Sequence, residues 1–161
     1  LPFSYRAYNS GRPKPPAEGF VPFSSNYMDV PNEPLYPFGY GLSYTNFEYS
    51  KPALDSCTLS SDGKIIASVT VKNTGKMAGL EPVQLYIRDD KASVVRPVRE
   101  LKGVQKIYLE PNEEKTVQFE INEDMLKFYD IDMNYTAEKG SFTVWIGGTS
   151  LTDNKAEFKF I

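Results

Sequence analysis

The chain has 161 residues, of which 40% are hydrophobic and 24% charged, with a net charge of -3 and a pI near 5.1. These values describe one globular domain with some extra length and exclude a chain that is disordered throughout. No basic surplus is present to neutralise phosphates, which argues against a nucleic-acid partner, and no apolar run approaches the ~20 residues of a membrane helix.

The first residue is Leu1, not Met, and no signal peptide follows it. The chain is therefore expected to be a piece of a longer polypeptide. The single cysteine, Cys57, has no partner for an internal disulfide and carries no information about redox compartment.

Eight of the twelve prolines lie in residues 1–37. Proline fixes φ and removes a donor, so neither a helix nor a central strand runs through "GRPKPPAEG". The segment is expected to be extended and irregular. It still holds Phe3, Tyr5, Tyr8, Phe20, Phe23, Tyr27 and Tyr36, more rings than a bare linker needs, which suggests that it lies against a surface.

"PLYPFGYGLSYTNFEYS" follows, with six aromatic residues and two glycines in seventeen positions. "NFEYS" within it reads as a first strand carrying Phe47 and Tyr49. Beyond residue 45 the hydrophobic pattern has period two, the mark of strands with one buried face. Ile65, Ala67, Val69 and Val71 share one face of "KIIASVTVKN". Val83, Leu85 and Ile87 do the same in "PVQLYIRDD". The pattern returns with Val117, Phe119 and Ile121, with Phe142, Val144 and Ile146, and with Phe158 and Phe160. "LKGVQKIYLEP" reads as a further strand whose phase slips between Val104 and Ile107. Gly103 stands just before that stretch, and a bulge within it explains the slip. Asp62-Gly63 is a hairpin signal. "NTGKMAG" and "EPNEE" are turn clusters. "EDMLKF" allows one helical turn, capped by Asn122. The pattern predicts an all-β fold, an antiparallel immunoglobulin or fibronectin type III-like sandwich of about seven strands, with the Pro-rich segment ahead of it.

Chemistry-bearing residues are sparse. The chain contains no histidine, so a Ser-His-Asp or Cys-His set is impossible, and one cysteine cannot build a zinc site. "DIDMN", Asp130 to Asn134, loosely resembles the start of a calcium loop. Its sixth position is Tyr135 where glycine is required, so a turn-capping acid cluster is the better reading. No metal and no cofactor is expected. Acid–base hydrolysis needs two placed carboxylates, and nothing in the spacing marks a pair. Tyr86, Tyr108 and Trp145 fall on the nominally polar phase of their strands. They are the candidates for stacking on sugar rings, against the plainer reading of half-covered rings hydrogen-bonded at their tips.

The quoted motifs carry a resemblance. "PLYPFGYGLSYTNFEYS" resembles the segment that introduces the C-terminal fibronectin type III-like domain of glycoside hydrolase family 3 enzymes, the β-glucosidases and β-xylosidases. "VTVKNTGKMAGLEPVQLYIRD", "RPVRELKGVQKIYLEPNEEKTVQFEI", "LKFYD" and "GSFTVWIGGTS" are similar to the later parts of that domain in order and spacing. "SYRAYNSGRPKP" is similar to the stretch that joins it to the catalytic domains.

The resemblance implies a division into residues 1–35, a connector from those domains, and 36–161, the sandwich. It implies an accessory role. In the family, an Asp nucleophile in a Ser-Asp-Trp type motif and a Glu acid/base lie on upstream domains, and neither motif occurs here. The upstream catalytic domains of the same polypeptide become the expected partner, and a β-linked oligo- or polysaccharide a further one. A periplasmic or secreted parent is implied as well. Tyr36, Phe38, Tyr40, Tyr44 and Phe47 are then expected to anchor the strand where the chain leaves those domains, with Gly39 and Gly41 permitting tight turns. The rival readings are a carbohydrate-binding module and an independent adhesion sandwich.

Overall fold

The structure is a computed structural model that describes residues 34–161. All but the last two residues of the expected 1–35 connector lie outside the described residues.

The first sheet is built on β4 (Lys64–Asn73). One edge of β4 pairs along its length with β7 (Glu114–Asn122). Its other edge holds two short pieces in series, β1 (Phe47–Tyr49) against 71–73 and β2 (Ala53–Leu54) against 67–68. Pro52 has no N–H to give and sits at the break, on an edge where a proline is tolerated. Side chains repair the ladder there. Ser50 Oγ accepts from Thr70 N at 2.9 Å and Asp55 Oδ1 accepts from Ile66 N at 2.8 Å.

The second sheet has the order β3–β11–β10–β5–β6. Its members are β3 (Thr58–Leu59), β5 (Gly79–Asp89), β6 (Glu100–Leu109), β10 (Gly140–Gly147) and β11 (Lys155–Phe160). Every pairing in it is antiparallel except β3 with β11. Helix α1 (Glu123–Leu126) and the small hairpin of β8 (Phe128–Tyr129) and β9 (Tyr135–Thr136) bridge the sheets between β7 and β10. As expected, Asn122 caps α1, its side chain accepting from Met125 N at 3.3 Å.

Seven of these strands have three or more residues, the number the alternation predicts. Their apolar faces meet in one core. Ile65, Ala67, Val69 and Val71 of β4 and Val117, Phe119 and Ile121 of β7 face Val83, Leu85 and Ile87 of β5, Phe142, Val144 and Ile146 of β10, and Phe158 and Phe160 of β11. Phe142 and Phe158 stack across the β10–β11 pair with centroids 5.4 Å apart.

Two local expectations are corrected. Asp62-Gly63 does not close a hairpin. The turn, with Gly63 N donating to Ser60 O at 2.9 Å, joins β3 of one sheet to β4 of the other. The bulge of β6 lies at Lys102, because Leu85 pairs with Gly103 and Tyr86 with Leu101. Pairing is regular from Val104 to Leu109. The apparent slip arises because Val104 is an apolar side chain on the exposed side of an edge strand.

Candidate functional site: the aromatic turn and the covered face of the second sheet

Pro37 to Tyr40 form a tight turn in which Tyr40 N donates to Pro37 O at 3.0 Å. Gly39 stands at its third position with φ +79°, the left-handed conformation a type II turn requires there. A side chain at Gly39 would also meet the Gln84 amide. Gly41 has neither constraint. Its φ is not in the left-handed region and a Cβ there would meet nothing within 4 Å. The expected role in turning the backbone falls to Gly39 alone.

The turn is fastened to the sandwich. Gln84 Nε2 donates to Gly39 O at 3.1 Å and to Gly148 O at 2.5 Å. Ser150 N donates to Phe38 O at 2.9 Å. The other end of the Gln84 amide is used as well, its Oε1 accepting from the Tyr86 hydroxyl at 2.5 Å. Gln84 is 4% exposed, so this saturation is what its burial demands.

Gln84, Tyr86 and Trp145 occupy the outward phase of β5 and β10, opposite the core face. Alternation predicts that phase, and it leaves open what covers it. Tyr86 is fully buried and Trp145 is 7% exposed. Part of the cover is the loop between β5 and β6. The Arg99 guanidinium lies 4.4 Å from the centroid of the Trp145 ring and donates to the carbonyls of Ser150 and Thr152. Burial pulls the Arg99 pKa down against the attraction of Asp153. The expected stacking on sugars is therefore corrected for two rings. Tyr86 and Trp145 present no open face because the chain's own side chains occupy it. Tyr108 remains about half exposed, its hydroxyl donating to Glu110 at 3.1 Å.

The aromatic residues expected to anchor the chain divide. Phe47 packs against the core. Tyr36, Tyr40 and Tyr44 are 64%, 46% and 92% exposed, and Phe38 is 39% exposed. Tyr36 and Tyr40 stack on each other with centroids 5.3 Å apart and planes 29° from parallel. These four rings lie outside the buried core.

A buried polar hub that sequence reasoning missed ties the lead-in to the sandwich. Thr45 Oγ1 donates to Asn73 Oδ1 at 2.6 Å, and Gly75 N donates to the same oxygen at 3.0 Å. Asn73 Nδ2 donates to Met77 O at 2.7 Å and Leu109 O at 3.1 Å. The Asn73 backbone N–H donates to Glu113 O, and its carbonyl accepts from Asn112 N. One fully buried asparagine thus ties the lead-in to β4, β6 and the β6–β7 turn. Its sequence signal is the Asn-Thr-Gly turn. A Cβ on Gly79 would lie 2.8 Å from Thr45 Cγ2, so the lead-in packs against bare backbone there.

Tyr49 OH donates to Glu81 Oε1 at 2.5 Å between β1 and β5. Burial raises the pKa of both groups, and the Glu81 carboxylate raises that of Tyr49 further. Among the described residues Asp89 is the other carboxyl raised by burial. Glu81 and Asp89 stand near opposite ends of β5, about 25 Å apart at ~3.3 Å per residue. A hydrolytic carboxyl pair needs about 5–10 Å, so these two do not form one. Among the described residues no group of His, Cys, Asp or Glu is arranged to hold a metal ion. Asp130 is spent on its own turn, accepting from Asp132 N and Asn134 N, both at 2.9 Å.

Comparison with known proteins agrees with this picture. Residues 81–150 match the model of the fibronectin type III-like domain. The whole chain is 47% identical to part of the periplasmic beta-glucosidase of Salmonella typhimurium and spans 21% of that protein. It is 53% identical over 119 residues to a beta-glucosidase of Bacteroides ovatus, covering 73% of this chain and 16% of the relative. A crystal structure of a beta-glucosidase from Listeria innocua in complex with laminaribiose superposes with a TM-score of 0.87 at 37% identity, over 98% of this chain and 22% of that one. The chain thus spans about a fifth of the length of these relatives. Its two-sheet fold, its motifs in order and these matches identify it as a fibronectin type III-like domain of the kind found in the C-terminal part of glycoside hydrolase family 3 β-glucosidases and β-xylosidases.

Proposed function

We propose that this chain is the non-catalytic accessory sandwich of a larger β-glucosidase-like polypeptide, seated on its catalytic domains through the aromatic lead-in. One observation carries the reading. Leu35, Tyr36, Tyr40, Leu42 and Tyr44 are exposed, while the turn at 37–40 is held rigidly by Gln84 and Ser150. A run of large apolar side chains on fixed backbone is the form of a surface made to be covered. In this reading residues 1–35 connect the catalytic domains to the sandwich at 36–161, and hydrolysis of the O-glycosyl bond belongs upstream. The parent is periplasmic or secreted, as the name of the Salmonella relative suggests.

The test is the double substitution Tyr36→Ala/Tyr40→Ala in the full-length parent. The expected result is a melting temperature lowered by several degrees, with kcat on an aryl β-glucoside retained at low temperature. An unchanged melt would overturn the reading. The half-exposed Tyr108 keeps a carbohydrate-binding alternative in play. That alternative predicts retardation of the chain in a gel containing soluble β-glucan, abolished by Tyr108→Ala.

A further inference from the structure

The β8–β9 hairpin carries a second exposed apolar surface, remote from the aromatic turn. Tyr129, Ile131, Met133 and Tyr135 are 60%, 83%, 73% and 56% exposed. They sit at every second position along the hairpin and its turn. The Tyr129 and Tyr135 rings lie 5.1 Å apart, tilted by 45°.

The backbone beneath them is held in place. Asp130 N donates to Asn134 O at 3.0 Å, Met133 N donates to Asp130 O at 3.1 Å, and Asp130 Oδ1 takes two further backbone N–H groups. Met133 has φ +64°, a conformation that an unbranched residue adopts only at a cost. At its root the hairpin is clamped by Arg96, whose guanidinium lies 4.5 Å from the Phe128 ring centroid. The surface is therefore preorganised, so covering it costs little ordering entropy.

We infer that this hairpin is a second docking point, seated on the same upstream part of the polypeptide as the aromatic turn but at the other end of the sandwich. The inference rests on the accessory-domain reading above. The turn at 37–40 lies beside the end of β10, at Gly148 and Ser150, and the hairpin precedes its start at Gly140. The two surfaces are thus about 25 Å apart by the length of β10. About four fifths of the length of the relatives lies outside this chain, and a body that large spans the gap.

The chemistry selects the occupant. Ile131 and Met133 offer a sugar no hydrogen bonds, and rings tilted by 45° make no flat platform for a pyranose. Tyr and Met are the residues enriched where protein meets protein. A free second copy would need about 800 Å² on each side, more than four side chains supply. A tethered neighbour needs no such area, because the tether holds it at an effective concentration in the millimolar range.

Hydroxyl-radical footprinting of the full-length parent, read by peptide mass spectrometry, tests this. Met133 and Tyr135 are expected to be modified at least tenfold more slowly in the native protein than in the urea-unfolded chain. Tyr36 and Tyr40 are the internal reference. If those two are protected while Met133 and Tyr135 react at the unfolded rate, the hairpin is open to solvent; the inference fails and the accessory-domain reading stands. If all four react freely, both fail. Protection that grows with protein concentration alongside a sedimenting dimer would place a second copy on the hairpin. Protection that appears only on adding a soluble β-glucan would place a saccharide there. Either outcome overturns the inference.

Discussion

Gln84 Nε2 donates to the carbonyl oxygen of Gly39, 45 positions earlier in the chain, at 3.1 Å. That contact converts an aromatic lead-in with its rings in solvent into a fixed projection from the second sheet. It also accounts for the burial of an amide on the outward face of a strand. Gln84→Leu keeps the volume and removes every bond. It is expected to lose about 2–4 kcal/mol, because the Tyr86 hydroxyl and two carbonyls lose their partner in a dry site. Thermal melting checks this, with a drop of roughly 6–12 °C at about 3 °C per kcal/mol.

The two glycines of the lead-in give a paired test of backbone against composition. Gly39→Ala places a Cβ on a φ of +79° and against the Gln84 amide, and Gly41→Ala does neither. The first is expected to cost about 1–2 kcal/mol and the second to stay within about 0.5 kcal/mol of the parent sequence. Equal losses in urea titration would remove the conformational argument for Gly39.

Asn73 offers both an acceptor and a donor to its surroundings, so the near-isosteric Asn73→Asp isolates the donor. The new carboxylate oxygen would face the carbonyls of Met77 and Leu109, which now accept from Nδ2. Acceptor meeting acceptor in a fully buried site is expected to cost about 3 kcal/mol or more. Hydrogen exchange should show the opening at the N-terminal end of β1 and at the β6–β7 turn, the segments the hub joins. A uniform loss of protection across the sandwich would contradict that localisation.

Glu81 contributes to the pH response. Burial favours its neutral form in the folded state, and its bond from Tyr49 only partly offsets that preference. Its contribution to stability is therefore fully present below the ordinary carboxylate pKa of about 4.3 and is lost as pH rises through the higher folded value. Glu81→Gln keeps an acceptor for Tyr49 without the charge. Urea midpoints measured from pH 4 to pH 8 should show the variant matching the parent sequence at the acid end and gaining on it towards neutrality. A variant that loses ground as pH rises would refute the assignment.

Much of the fold was legible because a packed core imposes period two. Ile65 to Val71 could face inward only as a strand, and the same holds for Phe142 to Ile146. Legibility ended where neighbours distant in sequence decide the outcome. The alternation puts Trp145 and Tyr86 on the outward phase, yet their cover comes from Arg99 and from the bonds of Gln84 to Gly39 and Gly148. No local pattern carries that information. Asp62-Gly63 encodes a turn but not which sheet receives the next strand. Val104 shows the converse, an apolar residue tolerated on the outward face of β6, where it is about half exposed. In the aromatic lead-in the composition was plain. The division of labour was not: one glycine turns the chain, Thr45 and Asn73 hold it, and Tyr36, Tyr40 and Tyr44 are left facing out.

The last strand, β11, lies in the interior of its sheet, between β3 and β10. During synthesis residues 58–59 and 140–147 emerge first, and their partner strand comes only at 155–160. Until then the nascent chain presents two open β edges and an uncapped Phe142, which loses its stacking partner Phe158. A ribosome that stops even six residues short of Phe160 would release a sticky half-sheet, so premature termination here should be read by the cell as aggregation and not as a slightly shorter protein.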